Sequence, residues 1–471
     1  MRKFNKDKYL RKLKLKRYWQ NNSRYFYISI PCLLCLVLGI YFAYSKFFVA
    51  SEEEVVRTTV GEFIYGDIIM TPYIDGQYST TFPEKKTGIN VEKVICDGDV
   101  SASWDEDKWG LYVTNLSKRT KCSVYFVTPA SCGINDNVSC INSREGLAAL
   151  ANEVNNGDNK SGKIIYLTSD LDLGGKFDSD GNALEGNISW TPIGTESNPF
   201  SGTFDGNGHI ISNMYVAEEN DAGLFLAIVK GDVKNLGIEA SFVKSNNAAA
   251  TALSYRINDS TVRNIYTYVT IAGKKSSAAI SAWVDNSKFS NIYNAGNVNA
   301  IDEQFAAGLV GYAGRTDIKN CYNYGKISGY NESGGIIGGF QGLTIKNCYN
   351  LAKINGWNSG GIVGQLYDPT SPEVYNSYNL GLVSGGGIVG NIYENTNNNF
   401  KLSNNYYLKE SAGYGAKTND TTFDDGAKSL SQDEMPSVIS VINGDNAFVE
   451  DTNNINNGYP ILKWQAEREN N

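Results

Sequence analysis

Four stretches decide the fold: Asn291-Ile292-Tyr293-Asn294, Asn320-Cys321-Tyr322-Asn323, Asn347-Cys348-Tyr349-Asn350 and Asn376-Ser377-Tyr378-Asn379. Looser copies begin at Asn213, Asn235, Asn264 and Asn404, so successive copies are 22, 29, 27, 29, 27, 29 and 28 residues apart. A second marker keeps the same beat, as Gly308-Leu309-Val310-Gly311, Gly335-Ile336-Ile337-Gly338, Gly361-Ile362-Val363-Gly364 and Gly387-Ile388-Val389-Gly390. Two markers on one period define an internal repeat. A unit of this length, with β-branched triplets set between Gly and Asn, has no room for two ordinary helices. It fits one coil of a parallel β-solenoid, whose short strands pair with their equivalents about 4.8 Å above and below. Eight such coils make a rod of roughly 40 Å. Asn291, Asn320, Asn347 and Asn376 then form a ladder, because Asn accepts a left-handed turn and can bond its counterpart in the next coil. Parallel crossovers wind right-handed.

Open solenoid ends expose unpaired strands and need covers. Asn142 with Glu145 reads as a capping box ahead of Leu147, Leu150, Ala151 and Val154, which predicts an amphipathic helix at the front. Ser431 with Glu434 opens a second short helix carrying Val438, Ile439 and Ile442, stopped by Asn443-Gly444. The closing run from Asn457 to Trp464 reads as a strand that folds back. Residues 52–129 alternate short apolar runs with turn residues and predict a small β-domain. Its Cys96, Trp109, Cys122 order mimics that of an immunoglobulin-like sandwich, at a spacing too short for one.

Residues 1–24 carry ten Lys or Arg against a single acid, Asp7, and Tyr25 to Ser45 contains no charge at all. An uncharged, mostly apolar run of this length spans a bilayer as a helix. The basic tail belongs on the cytoplasmic side, so the reading is a single-pass membrane protein with tail 1–24 inside, a membrane helix over 25–49 and the bulk extracellular. A cleaved signal peptide, with Ala43-Tyr44-Ser45 as its processing site, is the competing reading, and the run is long for one. Beyond the anchor, 31 basic residues face 49 acidic ones, a charge near -18 that disfavours DNA or RNA as a partner. Cys96 with Cys122 and Cys132 with Cys140 are the expected disulfides, each pair lying within one local segment. Cys321 and Cys348 fall at the same place in successive coils and suit buried stacked thiols.

The two repeat markers resemble GLUG-motif proteins. The likeness extends to the lead-in Leu171-Asp172-Leu173, to Trp190-Thr191-Pro192-Ile193-Gly194 and to the run from Phe200 to His209, and it covers residues 131–466. Copies at 248–281 depart from it, with Ala and Ser in place of Gly. The resemblance implies a bacterial cell-surface protein with a right-handed parallel β-helix, similar to repeats in the non-catalytic N-terminal region of IgA-specific metallopeptidases. It does not imply proteolysis. His209 is the single His of the chain, which excludes a His-Glu-x-x-His zinc motif and any multi-His metal site.

The expected architecture is therefore all-β: a right-handed parallel β-helix over 131–466 with short capping helices, preceded by a small β-sandwich-like domain and one N-terminal transmembrane helix. The expected function is a membrane-anchored, non-catalytic binding or adhesion scaffold that takes a glycan or a host protein and needs no cofactor. Exposed aromatics such as Trp283, Tyr330, Trp357 and Tyr367 are its contact candidates, each also able to pack within a ladder. The alternatives are a purely structural spacer and a polysaccharide lyase or glycoside hydrolase. Glycoside hydrolysis needs paired acids, and Asp170, Asp172, Asp205 and Asp221 with His209 are the candidates. Each has a plainer role, since Asp205-Gly206-Asn207-Gly208 is a turn tetrad.

Overall fold

Aliphatic side chains recur at one place in every coil, and the strands that carry them stack in register. The computed structural model describes residues 62–127 in their strands alone, Cys132, and residues 136–469 apart from 303–304, 368–370, 394–399 and 419–420. The expected tail at 1–24 and membrane helix at 25–49 lie outside these residues. Among the described residues no helix is long and apolar enough to cross a membrane.

The chain forms two compact units that divide in sequence at Thr128 and Pro129. In the first, strands Glu62–Met70, Thr120–Val127 and Asn90–Cys96 make one antiparallel sheet, and Tyr78–Thr81, Gly110–Thr114 and Ser101–Asp105 make another. Cys96 and Cys122 stand directly opposite each other on neighbouring strands and are disulfide-bonded. The bridge lies within one sheet, whereas the immunoglobulin bridge joins two. The Cys, Trp, Cys order is therefore no immunoglobulin signature here.

The second unit is a parallel β-solenoid of about ten coils. One inward column runs Ile165, Phe204, Val233, Val262, Phe289, Ile318, Ile345 and Val374, each paired with the next. A second runs Ile228, Ile257, Val284, Ala313, Phe340, Leu366 and Ile392 on the nine-stranded sheet. All are buried, and full burial of each large aliphatic or aromatic side chain contributes about 1.5–3 kcal/mol. Two coils more than the expected eight come from the front, where Val138–Ile141 pairs with Ile164–Leu167 and the latter with Thr203–Asp205. Neither carries the repeat markers. The divergent copies at 248–281 stay in register, Ser254 opposite Ser281 and Ile257 opposite Val284.

The Asn-x-Tyr-Asn element has three separate tasks. Its first Asn sits in the left-handed region, φ 52–57° at Asn235, Asn264, Asn291, Asn320, Asn347, Asn376 and Asn404, and turns the corner of the coil. The amide nitrogens of Asn264, Asn291, Asn320 and Asn347 each donate to the side-chain oxygen of the Asn one coil earlier, at 2.9–3.3 Å. The second Asn is fully buried and runs the opposite way: Asn294, Asn323 and Asn350 donate to Asn323, Asn350 and Asn379 one coil later, at 2.8–2.9 Å. Each of these also closes its own next turn, as Asn323 does with both the N–H and the C=O of Gly325. The glycine marker belongs to the same contact. A Cβ on Gly308, Gly335 or Gly361 would stand 2.4–2.6 Å from the amide carbon of Asn323, Asn350 or Asn379 and about 2 Å from a carbonyl of the adjoining coil. The two sequence markers share a period because they touch.

The Tyr between the two Asn points outward. Tyr266, Tyr293, Tyr322, Tyr349 and Tyr378 stack with ring centroids 4.8–5.2 Å apart and planes within 8°. The C-terminal segment, expected as an end cap, lies instead along this flank. Phe448 and Trp464 pack on the stack, Gln465 accepts from the Tyr349 hydroxyl, Trp464 donates to the Asn320 carbonyl at 3.0 Å, and the Arg468 guanidinium lies 4.3 Å from the Tyr293 ring. The expected final strand is short, Ile461–Leu462, paired antiparallel with Phe448–Val449 of the same segment, and the helix Lys463–Glu469 follows. The segment covers the Tyr column because its Phe448 and Trp464 bury rings that would otherwise leave an apolar stack in water.

At the front, the helix Arg144–Asn155 buries Leu147, Leu150, Ala151 and Val154 on the core. Its cap is Ser143, not Asn142: the Ser143 hydroxyl accepts from the Gly146 N–H at 3.2 Å, while the Asn142 carbonyl takes the Ser169 hydroxyl. Cys132 and Cys140 are disulfide-bonded, tying the lead-in to the first strand, and Cys321 and Cys348 are free and buried.

Replacing Asn350 by Ala strands the amide and carbonyl groups that it pairs in three successive coils. The expected loss is about 2–4 kcal/mol of unfolding free energy in urea, against about 0.5 kcal/mol or less for the exposed Lys326→Ala. Asp445 pins the C-terminal segment through Asn347 and Lys346, at 2.9 and 3.2 Å. Burial pushes its carboxyl up, but these two bonds outweigh it and hold it below the usual carboxylate range. A lowered native value stabilises above the unfolded value of about 3.9 and is lost as pH falls through the native one. Acidification below about pH 4 should therefore lower the hydrogen-exchange protection factors of residues 439–469, and Asp445→Asn should lower them already at neutral pH.

Candidate functional site

The acidic residues singled out as enzyme candidates do not converge. Asp170 accepts from His209 Nδ1 and from the Ile210 N–H, both at 3.0 Å, and these bonds, the backbone one foremost, hold its carboxyl below its ordinary value. The pair sits in solvent as a clamp between coils. Asp172 accepts the Gly174 N–H at 2.7 Å in a turn. Asp205 is fully buried, takes the Asn207 N–H and the Asn235 side-chain amide on one oxygen, and has the Lys234 ammonium 3.9 Å from the other. It is the acceptor on which the Asn235, Asn264, Asn291, Asn320 ladder ends. Asp221 accepts the Ala249 N–H at 3.0 Å, and burial pushes its carboxyl up. Among the described residues no group of three His, Cys, Asp or Glu could hold a metal ion.

A groove of about 530 Å³ lies elsewhere, on the outer face of the nine-stranded sheet. Sheet alternation builds it. With Ile257, Val284, Ala313 and Phe340 turned inward, the preceding residues Arg256, Trp283, Tyr312 and Gly339 form an outward column, and Asn258, Asp285, Gly314 and Gln341 form the next. Trp283 and Tyr312 stand 5.2 Å apart between centroids, and Phe305 packs edge-on to Trp283 at 5.9 Å. Phe305 occupies the space a side chain at Gly339 would fill, since a Cβ there would lie 2.4 Å from its ring. The aromatic line continues from Tyr312 to Tyr367 and Tyr393, at 6.0 and 6.1 Å.

Polar groups are interleaved with these rings. Tyr312 donates to Gln341, and burial, with Asp285 adding to it, pushes the Tyr312 phenol up. Arg315 grips Asp285 with both Nε and Nη2 from a left-handed backbone, φ 42°, in a column it shares with Lys230, Asp259 and Asn286. At the other end, burial raises the Tyr255 phenol, and Asp221 and Glu196 reinforce this. Flat rings beside paired hydrogen-bonding side chains are the chemistry that holds a ring-shaped polar ligand.

Trp283 and Tyr367 thus belong to this face, whereas Tyr330 and Trp357, 65% and 82% exposed, stand at another corner of the coils. Tyr255, Arg256, Asp285, Tyr312, Arg315 and Gln341 were not singled out from sequence. The signal was available: the outward column is the residue that follows the Gly-Leu-Val-Gly element, Tyr312 after Gly311, Gln365 after Gly364 and Asn391 after Gly390.

No protein-family model matches the chain, and no curated protein matches it. Among solved structures it is similar to a provisionally assigned immunoglobulin A1 protease from Bacteroides ovatus, at 20% identity over 70% of this chain and 94% of that one, with a TM-score of 0.44. At that level the likeness assigns neither activity nor substrate to this chain.

The two acidic environments separate on mutation. Asp205→Ala strands the Asn207 N–H and the Asn235 amide, while Asp232 still stands 3.7 Å from Lys234, and should cost about 2 kcal/mol, read as a lowered thermal midpoint. His209→Ala, at the solvent clamp, should stay within about 0.5 kcal/mol.

Proposed function

We propose that the chain is a non-catalytic, membrane-anchored bacterial surface protein of the GLUG type whose solenoid presents the Trp283–Tyr312 groove to a carbohydrate. The anchor is the apolar segment at 25–49, with the basic tail at 1–24 on the cytoplasmic side and the coils outside. The repeat elements and the lead-in support the GLUG assignment. One observation carries the ligand class: rings stay half open along a column parallel to the rod axis, next to Asn258, Asp285, Arg315 and Gln341, while the other aromatic column is sealed by the C-terminal segment. Stacked coils set successive aromatic positions about 4.8 Å apart, a spacing suited to consecutive rings of a linear glycan. The acid clusters that an enzyme would need are each engaged by backbone amides or by the Asn ladder, which supports a binding role. A nucleic acid remains disfavoured by the acidic surface.

A glycan array probed with the full-length chain tests this reading. At least one linear glycan should bind, and Trp283→Ala should weaken it about tenfold or more, the equivalent of ~1.4 kcal/mol, with the thermal midpoint of the coils kept. Binding that survives Trp283→Ala together with Tyr312→Ala, or release of shortened products from the bound glycan, would contradict it.

A further inference from the structure

Arg256 follows Ala227 in the outward column that continues into Trp283 and Tyr312, and these last three line the groove. Its Nη2 reaches the Glu196 carbonyl at 3.4 Å, and its Nε is buried without a hydrogen-bond partner. Other arginines of the coils are answered by carboxylates. Arg315 holds Asp285 with two nitrogens, and Arg263 holds Asp232 at 3.3 Å. Asp285, the acid beside Arg256 in the groove, is thereby already neutralised. Asp221 and Glu196 lie toward the Tyr255 end, with Lys275 beside Asp221, and neither carboxylate pairs with Arg256 among the described residues.

The Arg256 charge is answered by no carboxylate among the described residues, and the planar fork of a guanidinium matches a carboxylate bidentately. The acidity of the chain outside the anchor works against ligands of high charge density, which leaves room for a single carboxylate on an otherwise neutral ring. We propose that the groove binds a carboxylate-bearing sugar, its ring on Trp283 and its carboxylate on Arg256. This rests on the groove being a carbohydrate site and names what that site selects.

Uronates and sialic acids share this chemistry, and calorimetry on the full-length chain with two pairs of ligands separates them: oligogalacturonate against its methyl ester, and sialyllactose against lactose. One acidic member should bind about tenfold or more tighter than its neutral partner. Arg256→Gln should abolish that preference while keeping the neutral affinity, which also shows that the variant is folded. The ester comparison changes no residue and is independent of folding. Equal affinities within both pairs, or a preference that survives Arg256→Gln, would overturn the carboxylate assignment and leave the carbohydrate reading standing. No binding by any of the four would overturn the carboxylate assignment, and the carbohydrate reading is then decided separately by the glycan array.

Discussion

A primary amide buried in a protein interior must find partners for two N–H groups and an oxygen, and the rest of this solenoid follows from how Asn294, Asn323, Asn350 and Asn379 do so. Each donates to the next coil, accepts from the coil before, and uses its remaining capacity to close its own turn two residues on. Such a bond forms only if the next coil brings the same atom to the same height. Coil shape must therefore repeat even where coil length alternates between 27 and 29 residues, so the extra residues are absorbed in surface turns. The close approach also excludes a side chain opposite, which is why Gly308, Gly335 and Gly361 recur. The corner Asn column runs its bonds in the reverse direction, so the coils are tied both ways along the axis.

Fixing the interior this way releases the exterior. Arg256, Trp283, Tyr312, Gly339, Gln365 and Asn391 occupy equivalent positions yet range from a guanidinium through two aromatic rings and a Gly to two amides, because nothing inside the coil fixes their type. The candidate site lies where the repeat is least repetitive. The Tyr column is the opposite case: regular, apolar and continuous, it is consumed by the chain's own C-terminal segment, which brings Trp464, Gln465 and Arg468 back over coils more than a hundred residues earlier in sequence.

Much of the fold was legible because ladder residues announce themselves by period. Asn320 and Gly335 are informative singly and decisive together. The front coils at 138–141 and 164–167 carry only apolar strands, so their membership depends on long-range pairing that no local pattern records. The path of the C-terminal segment was hidden for the same reason: Trp464 meets Asn320 and Tyr322 through packing across distant sequence. In the candidate site, Trp283 and Tyr367 drew notice as aromatics, while Arg256 looked like any surface cation. Its significance lies in a buried Nε without an acceptor, a property of the packed sheet. Asp205 and His209 showed the converse, attracting attention by residue type and proving to be a ladder terminus and a solvent clamp.

The coil-to-coil amide bond can be measured directly by a double-mutant cycle on Asn323 and Asn350, with Asn323→Ala, Asn350→Ala and the double variant unfolded in urea. If the bond at 2.8 Å couples the two coils, the cycle returns an interaction energy of about 1 kcal/mol or more. Strict additivity of the two losses would mean that these asparagines act within their own coils alone and that in-register stacking of their side chains does not hold the solenoid together.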